Sequence, residues 1–126
     1  MVKPQQFSEG LLSLTIYEDA TSITVEWTGK SVAREPGLFT APILVSLIKK
    51  CSDHKKRLVL DFRHLAYMNS STITPIIKIL ERAKRGSAKI TVLYNNSLKW
   101  QDLIFSALTI FKTTNNRVDL EGAKVD

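Results

Sequence analysis

The sequence predicts a single α/β domain, a mixed β-sheet with helices packed against it in the order β-β-α-β-α-β-α-β. Three observations lead there. Apolar and polar residues alternate over 12–27, the period of half-buried strands. Helical spacing replaces that alternation over 43–51 and again over 73–83. Between the helical stretches lies LVLDF, residues 58–62, a short continuous apolar run. With 126 residues, of which 44% are apolar and 24% charged, the chain builds one core and has no room for a second domain.

The elements follow in order. Residues 1–10 (MVKPQQFSEG) show no periodicity and read as a loose lead-in, as 121–126 (EGAKVD) read as a loose tail, leaving a core at about 12–120. Leu12, Leu14 and Ile16 share one face of a first strand; Ile23, Val25 and Trp27 do so in a second. Glu18, Asp19 and Ala20 turn between them, which makes an antiparallel hairpin. Residues 28–38 (TGKSVAREPGL) read as a connecting loop. Thr40 is expected to cap a first helix, with Pro42 in its first turn, an apolar phase of Ile43, Leu44, Leu47, Ile48 and Cys51, and an end near Ser52. LVLDF is expected to be a strand covered on both faces. After a loop at 63–69, a second helix starts near Ser70 or Ser71, carries Ile73, Ile76, Ile77, Leu80 and Ala83, and stops at Gly86. Ile90, Val92 and Leu93 form another buried strand. Asn95, Asn96 and Ser97 cap a third helix with Trp100, Leu103, Ile104, Ala107, Leu108 and Phe111 on one side, and 117–120 ends the sheet. The central strand-helix-strand unit is parallel, with a right-handed crossover.

Composition narrows the function. Cys51 stands alone and falls in the apolar phase of a helix, so it reads as a small buried hydrophobe, and the chain suits a reducing cytoplasm. One Cys and two His, His54 and His64, show no ligand spacing, so neither a metal nor another cofactor is expected. No leader pattern opens the chain, and the uncharged stretches 36–48 and 64–77 are too short to span a bilayer. A cytoplasmic monomer without a membrane partner is the expectation. Eighteen basic against twelve acidic residues give a net charge of +6. The excess is concentrated: residues 49–89 carry eleven basic and three acidic side chains, a net +8, against −2 elsewhere. That invites a nucleic-acid reading. Against it, no recognition motif accompanies the charges, no aromatic residue stands within either cluster for base stacking, and basic residues near helix C-termini are what the helix dipole favours. Catalysis finds no support either. Asp61 reads as a turn residue accepting loop N–H bonds rather than the partner of His64, and neither a phosphate-cradling loop nor a nucleophile elbow occurs.

The chemistry that remains sits at a strand-to-helix junction, where such folds gather function. There the chain reads Tyr67-Met68-Asn69-Ser70-Ser71-Thr72. One small polar side chain suffices to cap a helix, and three are surplus. A hydroxyl at a helix N-terminus is placed where backbone donors and the dipole favour an added anion. Phosphorylation there adds about −1.5 to −2 charge without breaking the helix. Inside an interface the same charge, unpaired, costs several kcal/mol. The expectation is a switch, in which one phosphate releases a partner and leaves the fold intact.

The stretch LVLDFRHLAYMNSSTITPIIKILERAKRGSAKITVLY resembles the central part of STAS domains, the bacterial anti-anti-sigma factors. The likeness lies in an apolar strand ending in Asp, a short loop leading to Ser, a helix, a basic Gly turn and another strand. Flanking elements extend it over about 12–120. The resemblance implies a STAS-like fold and a non-catalytic partner-switching module whose Ser is phosphorylated by a serine kinase, often the anti-sigma factor itself, and restored by a serine phosphatase. Ser70 takes the phosphoacceptor place, with Ser71 the second choice. Asn69 stands where the family has Asp, and Thr72 where it has Gly. Asn69, Ser70, Ser71, Thr72 and Pro75, with Arg34, Glu35 and Phe39 from the loop before the first helix, make the expected partner surface. The alternatives are a constitutive, non-phosphorylated adaptor controlling another enzyme's output, and a basic nucleic-acid-binding domain.

Overall fold

The first quarter of the chain forms an antiparallel meander, and the rest adds three parallel crossovers to it. In the computed structural model, which describes residues 3–125, the meander is β1 (Gln5–Glu9), β2 (Leu12–Glu18) and β3 (Ser22–Ser31). Helix α1 (Gly37–His54) leads to β4 (Arg57–Asp61), and a short β5 (Leu65–Met68) precedes α2 (Ser70–Arg85). Then come β6 (Lys89–Asn95), α3 (Lys99–Ala107), a 3-10 turn (Leu108–Phe111) and β7 (Val118–Ala123). The sheet order is β1-β2-β3-β4-β6-β7, parallel from β3 onward.

The core lies on one face of this sheet. Ile16, Val25, Leu60, Val92 and Leu120 stand in register across five strands, all buried. The helices close over that face with Leu44, Ile48 and Cys51 of α1, Ile76, Ile79, Leu80 and Ala83 of α2, and Phe105 of α3. The opposite face carries Thr24, Val59, Thr91 and Asp119 in register, all half-buried. The expectation that LVLDF is covered on both faces is therefore corrected. Burial alternates over Leu58, Val59 and Leu60 because the helices pack on one side, while Asp61 and Phe62 at the end of the run are both buried. Among the described residues, no helix is long and apolar enough to cross a membrane.

Other expectations shift for local reasons. Residues 1 and 2 of the expected lead-in lie outside the described residues, but 5–9 are not loose: β1 pairs with β2 from Gln5↔Ile16 to Glu9↔Leu12. All five of its residues are exposed, so no side-chain period marks it. Residues 121–123 of the expected tail belong to β7, also exposed. The loop expected at 63–69 contains β5, which pairs with the end of β3 after a register shift at Gly29 and Lys30. Gly29 has φ +84, and a Cβ there would lie 2.0 Å from the Leu11 carbonyl oxygen, so only glycine fits this bulge. Helix α1 begins at Gly37, and Thr40 lies inside it with its hydroxyl donating to the Pro36 carbonyl at 3.0 Å rather than capping. On α3 and the turn after it, Leu108 is buried and Trp100, Ile104 and Phe111 pack against the core as expected, while Ala107 is exposed. Leu103 is 75% exposed, and the buried side is Gln101, Phe105 and Leu108.

Candidate partner-binding site

The junction is organised by Asn69. It ends β5 in an extended conformation and caps α2: its Oδ1 accepts from the Thr72 backbone N–H at 3.1 Å and from the Thr72 hydroxyl at 2.7 Å. Its Nδ2 donates to the Ala33 carbonyl at 2.8 Å, and its backbone N–H donates to the Ser31 carbonyl at 2.9 Å. The Ser31 and Thr72 hydroxyls meet at 2.6 Å, both buried. Thr72 has one hydroxyl proton and gives it to Asn69, so Ser31 is the donor in that contact. The network ties the start of α2 to residues 31–33 and hence to the loop carrying Arg34 and Glu35.

This arrangement sorts the surplus polar residues. Thr72 is fully buried, so it acts by holding Asn69 and Ser31; its expected contact with a partner is corrected on that ground. Ser70 and Ser71 are exposed on the first turn of a sixteen-residue helix that has no acidic side chain there. The positive end of the helix dipole is therefore uncompensated beside two free-standing hydroxyls. Ser71 joins Arg34, Glu35, Leu38, Thr74 and Pro75 around a shallow concavity of about 460 Å³. The structure thus brings Arg34, Glu35, Ser71 and Pro75 together. Phe39 does not join them. It belongs to α1 rather than to the loop and is half-buried against the core.

Two features of the neighbourhood escaped the sequence reading. Leu38, 76% exposed, projects beside Ser71 from a stretch read as loop. Gln101 is fully buried and anchors α3 beneath the junction. Its Nε2 donates to the Phe62 and Leu65 carbonyls at 2.7 and 3.0 Å, and its Oε1 accepts from the Asn95 N–H at 2.7 Å. A polar residue flanked by Trp100 and Asp102 gives no sequence signal of this role. Nearby, Tyr67 of β5 packs toward Trp100 of α3 with ring centroids 6.4 Å apart, and Tyr67 is 48% exposed.

The acid–base alternative dissolves in the geometry. Asp61 is buried, accepts the Arg63 backbone N–H at 3.0 Å and takes both Nε and Nη2 of the Arg63 side chain at 2.9 Å, while His64 is exposed. Asp61 in turn raises the pKa of the Arg63 guanidinium, holding it charged. Burial pushes the Cys51 thiol up to about 11, the state of an inert core thiol. Among the described residues, no three His, Cys, Asp or Glu side chains gather as a metal site.

No protein-family model matches the sequence, and a search of the curated proteins finds no match. Solved structures do match in shape. A chain of the crystal structure of diguanylate cyclase SiaD in complex with its activator SiaC, from Pseudomonas aeruginosa, superposes with a TM-score of 0.64 at 13% identity, covering 94% of this chain and 99% of that one. SiaC of Pseudomonas aeruginosa superposes with a TM-score of 0.61 at 13% identity, covering 97% and 100%. The likeness extends over nearly the whole of both chains, and it gives this protein the STAS-like mixed α/β fold that SiaC has.

Proposed function

We propose that this chain is a non-catalytic regulatory module that binds a signalling enzyme and sets its output, with a diguanylate cyclase as the leading class of target. One observation carries the reading: the similarity in fold to SiaC, an activator of such a cyclase, covers 97% of this chain and 100% of that one. It favours an adaptor of an enzyme over an antagonist of an anti-sigma factor. The junction supplies the surface, with Ser71, Arg34, Glu35 and Leu38 around one concavity and Tyr67 nearby. The test is to co-purify the tagged full chain with its partner from the source cell and assay the captured fraction for cyclase product. Addition of pure chain is expected to raise the rate severalfold; an unchanged rate rejects the cyclase as target.

A second reading, supported by the exposure of Ser70 beside an uncompensated helix N-terminus, is that phosphorylation of Ser70, or of Ser71, switches this binding off. A phosphate desolvated at the interface costs several kcal/mol, and each 1.4 kcal/mol is about tenfold in affinity. Ser70→Asp is expected to weaken partner binding at least tenfold with the melting temperature within a few degrees. Unchanged affinity would remove the switch from this residue and leave the constitutive adaptor.

A further inference from the structure

The basic side chains that the fold itself does not use converge on one surface. Of the eleven between 49 and 89, five are engaged internally. Lys50 and Lys56 hold Glu18 at 2.9 and 2.8 Å, and Arg63 holds Asp61. Arg57 donates to the Thr91 hydroxyl and the Asn116 carbonyl, and Lys84 to the Ile110 carbonyl. The other six are Lys49, Lys55, Lys78, Arg82, Arg85 and Lys89. Among the described residues none of these has an ion-pair partner, and the six line three adjoining concavities that meet at Arg82 and at Ser52, Ser87 and Ala88, a trough running between α1 and α2 and along their C-terminal ends. Only Glu81 and Asp53 oppose them there.

The floor of the trough is aliphatic. Its largest section, of about 510 Å³, is lined by Ala41 and Val45 with Pro75 and Ile79 buried beneath them, and Val45 is 38% exposed. At a rise of 1.5 Å per residue the trough follows α1 for about 16 Å from Ala41 to Ser52, which is about three turns of a docked helix. At its other end it shares Ala41, Pro75 and Lys78 with the concavity that holds Arg34 and Ser71, so it is continuous with the junction.

We propose that this trough is the docking surface for an acidic amphipathic helix of a protein partner. The apolar stripe of that helix lies on the Val45 floor, and its carboxylates meet the six unpaired cations. An apolar floor with a charged rim is how helices are seated in grooves, and opposite charge across the rim steers the encounter and fixes the register. Nucleic acid fits less well, because no aromatic side chain lines the trough for base stacking. The proposal rests on the reading of the chain as a protein-binding module and names the chemistry of what it binds.

The test uses the purified full chain and a synthetic fluorescent peptide of four to five helical turns, with leucine on one face and glutamate on the other. Saturable binding is expected, with amide shift changes centred on Val45 and Arg82 in NMR spectra. Replacing every glutamate by glutamine is expected to weaken binding at least tenfold on the unaltered protein, and R82E/R85E to weaken binding of the acidic peptide by a similar factor. Absence of saturable binding, equal affinity for the glutamine peptide, or shift changes away from α1 and α2 would each overturn the proposal. So would a uridine oligonucleotide of matched charge binding the same trough more tightly, which would assign the surface to nucleic acid. If the peptide fails while the chain still activates its cyclase, the trough is refuted and the adaptor stands. If activation fails while the peptide binds, the reverse holds.

Discussion

Replacing Thr72 with Val removes one hydroxyl and keeps the side chain's shape, so it isolates the polar network under the junction. In the wild type the Thr72 hydroxyl accepts from Ser31 at 2.6 Å and donates to Asn69 at 2.7 Å. Without it, Ser31, 1% exposed, keeps a hydroxyl proton with no acceptor. Losing a net hydrogen bond costs about 0.5–1.5 kcal/mol, and a stranded buried donor about 1–3 kcal/mol. We expect about 2 kcal/mol for Thr72→Val, since Asn69 Oδ1 still accepts the Thr72 backbone N–H. Ser31→Ala strands only a lone pair and should cost about 1 kcal/mol. The double variant removes both ends and should cost less than the sum by about 1 kcal/mol. Guanidinium denaturation of the four proteins measures all three values, and the single Thr72 change should lower the melting temperature by about 6–8 °C for a domain of this size. Additivity within about 0.3 kcal/mol would refute the coupling of β3 to α2 through these hydroxyls.

Two other expectations test the frame around the site. Lys56 and then Lys50, each donating to its carboxylate, hold the Glu18 pKa down from 4.5 to about 2. That depressed value contributes stability above about pH 4.5 that is lost as the pH falls toward 2. Wild type should therefore melt above Glu18→Gln at neutral pH, with the gap closing as the pH falls through this window; a gap independent of pH would contradict the ion pairing. Gln101→Leu strands the Phe62 and Leu65 carbonyls and the Asn95 N–H in the interior and should cost about 3–5 kcal/mol in chemical denaturation. A loss below about 1 kcal/mol would mean that these groups find other partners.

How much of this was legible in the sequence depended on whether a side chain's role is written in its local period. Leu14, Val25, Leu60 and Val92 alternate within strands buried on one face, and the strand order follows from them. β1 has no covered face and β5 has only four residues, so neither leaves a period to find. On α3 the period places Trp100 and Ile104 correctly but not Gln101, whose burial is stabilised by the Phe62 and Leu65 carbonyls, distant in sequence, and by the Asn95 N–H. At the site, the hydroxyl run marked the helix start, but burial divided it. Ser70 and Ser71 face out, while Thr72 faces a serine forty-one residues away, a contact no local pattern encodes.

That division bears on Asn69, which with Thr72 is where the STAS resemblance breaks. A carboxylate in its place would keep both bonds from Thr72, because each uses the side chain as an acceptor. It has no proton for Ala33, and its second oxygen would face a carbonyl oxygen at the 2.8 Å now spanned by a hydrogen bond. An amide is therefore what this junction calls for: one end caps α2, and the other holds the backbone just ahead of Arg34 and Glu35. The negative charge surrendered at the helix start is replaced by a mechanical tie between the two segments that border the concavity. Because loop 32–36 is fixed to the same residue that begins α2, a charge introduced at Ser70 or Ser71 would meet a surface already in place rather than a loop that must first be ordered, and under the proposed switch its energy would act on partner affinity rather than on folding.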